Sequence, residues 1–404
     1  MKRISVVLST ILVASLVLAA CAPAQGGGTT EATTVKIYSS LPLTGSSAGQ
    51  TTTVVNAIQL ALEQQTKDGV VCDGKIKIEY ESLDDATAAA GKWDAAKEQE
   101  NANKAVADPN TVAYIGTFNS GAARVSIPIL NQAGIAMISP ANTADDLTAG
   151  ADTAQYYPTG KRTYMRVVAR DAFQGAFGAK WAAKLGAKSV YILDDTEVYG
   201  KGVADQFESN LAANGLTLVG RDGIDGKAAD YKALATKVKD ANPDLIYFGG
   251  ITQNGAGQLL KDIRAAGITV PFMGPDGILE SAFIEAAGAD VAEGVYGTIA
   301  GSPRALLPEK GKKFFEDYKA KYNSEPEAYA IYGYEAASVV ISVIGKVCAK
   351  DKAAILDAMF GTRDFNGVLG TWSFDANGDT TLYSMLGNIV KGGAWTEAPS
   401  EILP

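Results

Sequence analysis

From Val35 onward, short β-branched or aromatic runs alternate with stretches whose apolar residues recur every three or four positions. That alternation is the pattern of βαβ units built around parallel sheets. Val35-Lys36-Ile37-Tyr38 reads as a first strand, after which Val54, Ile58, Ala61 and Leu62 fall on one helical face. Further strands are predicted over 75–83, 112–116, 135–139, 164–168, 189–193, 216–219, 244–249, 271–273 and 295–300. Helices fill most of the gaps. A long helical pattern over 329–347 and a shorter one over 352–359 precede two strand-like stretches, 367–374 and 383–390.

Many of these strands run into Gly, Ser, Asp or Pro just before a helix, as over 39–45, 116–121, 139–143, 194–200, 249–257 and 274–277. Ligands of open α/β sheets bind outside such carboxyl-end loops, where helix N-termini offer free backbone N–H groups. The richest constellation is Gly116-Thr117-Phe118-Asn119-Ser120-Gly121 followed by Ser139-Pro140-Ala141-Asn142-Thr143. Two neighbouring strand ends there present hydroxyls and Gly-permitted N–H groups, an arrangement suited to a carboxylate. Ser, Thr and Asn also favour turns and caps for their own sake. Local pattern leaves the two readings even.

Composition narrows the chemistry. The 404 residues contain no His, which excludes a Ser-His-Asp triad, a Cys-His dyad and an imidazole-ligated zinc. Asp and Glu (45) outnumber Lys and Arg (36) without a basic cluster, so a counterion-releasing grip on nucleic acid is not expected. Length predicts two or three domains of ordinary size. Lys2 and Arg3, an apolar run over 4–18, and Leu18-Ala19-Ala20-Cys21 resemble a bacterial lipoprotein signal with its lipobox. The resemblance implies cleavage after residue 20 and lipidation of Cys21. An uncleaved anchor is the alternative, but the run is shorter than the ~20 residues that span a bilayer. Residues 21–34 then read as a lipidated flexible tether, and the body as extracytoplasmic, lipid-anchored in the periplasm or on the outer face of the membrane. With Cys21 spent, Cys72 and Cys348 remain, and an even pair in an oxidising compartment suggests one disulfide. Two separate buried thiols are the alternative.

Three other motifs are set aside. Asp375-Ala376-Asn377-Gly378-Asp379 lacks the twelfth-position acid of a calcium loop and reads as a tight turn. Gly255-Ala256-Gly257 lacks the full dinucleotide fingerprint. Asp84-Asp85 and Asp194-Asp195 sit at strand ends, where Asp also caps the next element.

The order of motifs is more specific than any one of them. Ser40-Leu41-Pro42-Leu43-Thr44-Gly45, Asp84-Asp85, Ile115-Gly116, Met137-Ile138-Ser139-Pro140-Ala141-Asn142-Thr143, Tyr199-Gly200-Lys201-Gly202, Tyr247-Phe248-Gly249-Gly250 and Phe272-Met273-Gly274-Pro275-Asp276-Gly277 follow one another. Over about 35–390 the chain thereby resembles the substrate-binding proteins of branched-chain amino acid ABC transporters, of the type I periplasmic-binding fold. The resemblance implies an α/β architecture of two Rossmann-like three-layer lobes, joined by three crossovers, with ligand in the cleft. Crossings then fall near Thr163, Ala300 and Trp372, giving one lobe of 35–163 plus 301–372 and another of 164–300 plus 373–404.

Residue by residue, Ser120 and Thr143 match the family hydroxyls that bind the ligand α-carboxylate, and Ala141 matches a backbone contact. Phe118, Asn119 and Asn142 flank that point. Asp276 matches the acid that pairs with the α-ammonium, while Tyr199 and Tyr329 match aromatic pocket positions. Ile251 stands where the family carries tyrosine, and about Gln50 where it carries an aromatic residue. The paired cysteines some members place near the ligand loop correspond to Thr87 and Asn119, so that disulfide does not transfer. The implied function is capture of a free amino acid, branched-chain foremost, by a monomer that delivers it to ABC permease subunits. Neither catalysis, cofactor nor metal is expected. Two alternatives stay open: an amide, urea or aromatic acid as ligand, and a sensory module for a separate receptor. A hydrolase is disfavoured by the missing histidine and nucleophile motif.

Overall fold

Side chains of successive strand residues point to opposite faces, and here both faces are apolar, so each sheet needs a helical layer on each side. In the computed structural model residues 31–404 are described, and 32–404 form one compact unit. The expected leader, Cys21 and most of the tether lie outside the described residues. The first sheet has the strand order Val70–Val71, Ile76–Asp84, Thr33–Leu41, Thr111–Gly116, Ala136–Ser139, Tyr164–Arg166. All pairs are parallel except the short edge strand. Ile37, Ile115 and Ile138 pack with Val54 of helix Ala48–Gln65 and Val340 of helix Ala330–Val347. Tyr38, Tyr114 and Met137 face the other way, onto Ile127 and Leu130 of helix Ser120–Gln132.

The second sheet runs Thr217–Gly223, Ser189–Asp194, Leu245–Gly249, Phe272–Gly274, Tyr296–Ala300, Met385–Lys391, Ala394–Glu397. Its first five strands are parallel and its last two antiparallel. Leu193, Ile246 and Phe248 pack on Leu260 and Ile263 of helix Ala256–Ala265. Ile192 and Tyr247 pack on Trp181 and Phe207 of helices Asp171–Lys184 and Val198–Ser209. Those two helices approach closely because Gly175 has no side chain: a Cβ there would lie 2.5 Å from the Gln206 carbonyl carbon. Cys72 and Cys348 are disulfide-bonded with Cα atoms 5.7 Å apart, tying the edge hairpin of the first sheet to the end of helix Ala330–Val347.

Sheet membership differs from the expected lobe borders in two places. Strand Tyr164–Arg166 closes the first sheet, whereas a border at Thr163 would assign it to the second. The reason is Arg166, fully buried, whose guanidinium bonds the Asp379 carboxylate at 2.6 Å and the Asn142 and Ala144 carbonyls at 3.0 and 2.8 Å. Asp379 in turn bridges beside Arg166, so the chain after Trp372 stays against the first sheet and joins the second only at Met385. The predicted strand over 367–374 also breaks up. Only Phe365–Asn366 and Thr371–Trp372 pair, because Gly370 turns the chain with φ of 131° and the Val368 N–H is taken by Glu335 at 2.8 Å. The final strand Ala394–Glu397 was not anticipated, although Gly392-Gly393, with φ of 62° and 76°, is a recognised two-residue hairpin turn. Asp375 closes its own tight turn by accepting from the N–H groups of Asn377 and Asp379 at 2.8 and 2.9 Å.

Glu335 anchors this crossing segment, accepting also from Trp372 Nε1 at 2.6 Å, and burial pushes its carboxyl up to about 7. A folded-state value above the unfolded one means that the native state holds the proton more tightly. The resulting stability is fully present below about pH 4.3 and lost as pH rises through 7. Glu335→Gln, which cannot ionise, should therefore show a smaller fall in melting temperature between about pH 5 and pH 8 than the wild type. Parallel pH profiles for the two proteins would contradict this.

Candidate functional site

The carboxyl ends of the two sheets face each other across a cleft, and most of the sequence-selected residues meet there. Phe118, Asn119, Ser120 and Ala141 come from the first sheet, and Tyr199, Ile251, Asp276 and Gly277 from the second. Tyr329 enters from the start of helix Ala330–Val347. They enclose a narrow cavity of about 20 Å³, room for about one water, so an amino acid enters only if these walls part.

One end is built to attract negative charge. Helix Ser120–Gln132 points its N-terminus at the cavity, and the first N–H groups of any helix lack intrahelical partners. Gly121 lets this turn sit against Trp93, whose ring would be 2.5 Å from an added Cβ. Beside it, the Thr143 hydroxyl is buried next to the Asp171 carboxyl. Ser139 shapes the neighbouring loop, accepting from the Ala141 and Asn142 N–H groups at 3.0 and 2.8 Å and donating to the Thr117 carbonyl at 2.8 Å.

Asn142 differs from its expected role as a ligand contact. Its amide donates to the Phe118 carbonyl at 2.9 Å and accepts from the Tyr164 hydroxyl at 3.2 Å, so it braces the loop instead of lining the cavity. Thr143 likewise lies outside the lining itself, next to Asp171. Gln50, at the family's aromatic position, is buried and donates to the Leu279 carbonyl at 3.2 Å, linking the first helix to the second sheet's loop.

The opposite end is short of positive charge. Asp276 accepts from the Tyr199 hydroxyl at 2.8 Å and the Tyr329 hydroxyl at 2.6 Å. Tyr199 is held in turn by the Gly277 N–H at 3.0 Å. Burial pushes the Asp276 carboxyl above its usual range, and the two phenol hydrogen bonds oppose that rise. Sequence reasoning missed a second acid, Asp171. It is 1% exposed with only the Thr143 hydroxyl beside it, and burial, reinforced by the Asp145 and Asp276 charges, pushes it well above the usual range. As the first residue of helix Asp171–Lys184 it is indistinguishable in sequence from an ordinary helix-start aspartate.

The apolar walls between these ends are Phe118 and Ile251, with Phe118 set edge-on to Tyr329 at 5.2 Å between ring centroids. At the cleft mouth Lys92 of the first lobe pairs with Glu197 and donates to Asn254 Oδ1 at 2.7 Å on the second. Asn254 also donates to Asp195 at 2.8 Å. Of the paired aspartates, Asp84 accepts from the Leu43 and Ala86 N–H groups, both at 2.8 Å, and Asp195 from Glu197 N and Ile251 N, both at 3.1 Å, whereas Asp85 is buried with neither carboxylate oxygen hydrogen-bonded. Among the described residues no cluster of three or more acidic or cysteine side chains is arranged to hold a metal ion.

A family model described as periplasmic binding protein matches residues 34–393. The Leu/Ile/Val-binding protein BraC3 of Rhizobium johnstonii is 31% identical over 379 residues, covering 93% of this chain and 95% of the relative. Two solved structures are similar. One is the leucine binding protein LivK of Thermotoga maritima, with 29% identity, a TM-score of 0.80 and coverage of 90% of this chain and 98% of that one. The other is the branched-chain amino acid transporter substrate binding protein LivJ of Streptococcus pneumoniae in complex with isoleucine, with 28% identity, a TM-score of 0.77 and coverage of 90% and 100%.

Proposed function

Because the chain belongs to the periplasmic binding protein family, we propose that it captures a free α-amino acid, branched-chain foremost, between its lobes and passes it to the permease of an ABC transporter. The observation that carries this reading is the polarity of the cavity. A helix N-terminus with Ser120 stands at one end and a buried aspartate, held by two phenols and by no cationic side chain, at the other. A zwitterion complements both ends, since its carboxylate takes the unpaired donors and its ammonium compensates Asp276 and Asp171. Phe118 and Ile251 then offer hydrocarbon to an aliphatic side chain.

Capture needs the lobes to move. Tyr329 reaches Asp276 from the opposite lobe, and Lys92 reaches Glu197 across the mouth. Opening breaks these contacts and admits ligand, and closing over ligand adds contacts from both lobes at once. Ligand thus binds the closed arrangement more tightly than the open one, which is what shifts the population. The moving bodies run from residue 33 to about 168 with 301–382, and from about 169 to 300 with 383–404. The protein works outside the cytoplasm as a monomer held by lipid on Cys21, with no bond made or broken in its ligand.

Calorimetric titration with leucine tests the site. Asp276→Ala should lose on the order of 3 kcal/mol or more of binding, because the ammonium is left buried beside fewer negative groups. Unchanged affinity would remove Asp276 from the site. Ser120→Ala should cost about 1–3 kcal/mol, one hydrogen bond to a charged group.

Acidity acts through the same carboxyl. Its raised folded value means that Asp276 becomes neutral on acidification sooner than an exposed aspartate, whose ordinary value is about 3.9. Leucine affinity should therefore fall on acidification, beginning above about pH 4. Affinity that stays constant down to pH 4 would contradict an ionised Asp276 in the complex.

A further inference from the structure

A second cavity, of about 490 Å³, opens between the lobes beside the crossing strand Tyr296–Ala300. Small-molecule sites span roughly 300–1,000 Å³. Its body is hydrocarbon, supplied by Ile284, Leu307, Ile331 and Trp395. Within it, Asn388 is 7% exposed and its amide nitrogen has no hydrogen-bond partner. A buried donor of that kind calls for an acceptor.

The lining is also negatively charged. Glu285, Glu327 and Glu397 contribute carboxylates, Glu327 accepting from Ser281 at 2.5 Å and Glu397 from the Arg304 N–H at 2.7 Å, while the Arg304 guanidinium lies 3.5 Å from Glu325 and 4.1 Å from the Phe315 ring centroid. The lining thus carries three carboxylates against one guanidinium. A guest must therefore offer positive charge at the rim, an apolar body and one acceptor for Asn388.

Two elements are shared with the amino-acid cleft. The turn holding Asp276 in the cleft puts Leu279 in this cavity, the Leu279 N–H donating to the Asp276 carbonyl at 2.9 Å. The start of helix Ala330–Val347 likewise puts Tyr329 in the cleft and Ile331 in this cavity. Across the rim, Ser281 of the second lobe donates to Glu327 of the first at 2.5 Å. A guest here touches both lobes in the arrangement that also closes the cleft.

We propose that this cavity is a second small-molecule site, taking an amphipathic organic amine with one hydrogen-bond acceptor, and that its occupancy is coupled to capture in the cleft. Coupling between two binding sites is reciprocal, so each ligand changes the other's affinity by the same factor. A guest held by both lobes raises it.

The probe is tyramine, titrated calorimetrically into the full protein saturated with leucine, so that the cleft is blocked. Saturable binding is expected, with 3-(4-hydroxyphenyl)propionate, of similar size and opposite charge, weaker by about ten-fold or more. Ile284→Trp, which fills the cavity, and Asn388→Leu, which removes its polar anchor, should each weaken tyramine by about ten-fold. Conversely, tyramine should tighten leucine binding several-fold. The site is overturned by the absence of saturable heat up to about 10 mM tyramine, by equal binding of the anion, or by full tyramine affinity in both variants. Unchanged leucine affinity with tyramine bound overturns the coupling. Should leucine itself not bind, the tyramine titrations of wild type and variants still decide this site, because neither substituted residue lines the cleft.

Discussion

A carboxylate taken out of water is stable only when something replaces its hydration, and the arrangement around Asp276 follows from that constraint. Two phenols, Tyr199 from its own lobe and Tyr329 from the other, supply the replacement hydrogen bonds. Neither brings a positive charge. Asp171, buried nearby beside the Thr143 hydroxyl and without a cationic partner, deepens the deficit. The cleft is thus electrostatically incomplete at one end, and the ammonium of the proposed ligand would complete it.

The fold is what allows so unsatisfied a site to persist. Each sheet is covered on both faces by helices, so the loops at its carboxyl ends are held by a rigid scaffold. Ser139 and Asn142 spend their hydrogen bonds on fixing the loop after strand Ala136–Ser139, which sets Ala141 at the cavity. Arg166, Asp379 and Glu335 do the same for the crossing segments. Polar side chains therefore divide into those consumed by the scaffold and those left over for a ligand. That division is invisible in a list of residue types.

It also explains how far the sequence could be read. The βαβ alternation and most strand positions were legible because fully covered strands are written as apolar runs bounded by Gly, Ser and Asp. The order of motifs singles out Asp276, Ser120, Tyr199 and Tyr329, and the fold brings the four to one cavity. Asn142 was misplaced because a brace and a ligand contact use the same residue type. Asp171 was missed because its burial arises from tertiary packing, which a helix-start aspartate does not announce. The lobe borders at Thr163 and Trp372 moved because the burial of Arg166 against Asp379 is a contact 213 residues apart in sequence. The last hairpin, by contrast, had its signal in Gly392-Gly393 and could have been read.

The proposed capture requires the cleft to recognise both charged ends of one zwitterion. The direct test is calorimetric comparison of L-leucine with 4-methylpentanoate, which lacks the ammonium, and with isoamylamine, which lacks the carboxylate. Leucine should bind measurably, with each analogue weaker by roughly 100-fold or more, since each leaves one buried end of the site unpaired. Binding of 4-methylpentanoate as tight as that of leucine would contradict it, and would leave Asp276 and Asp171 without the cation on which the account depends.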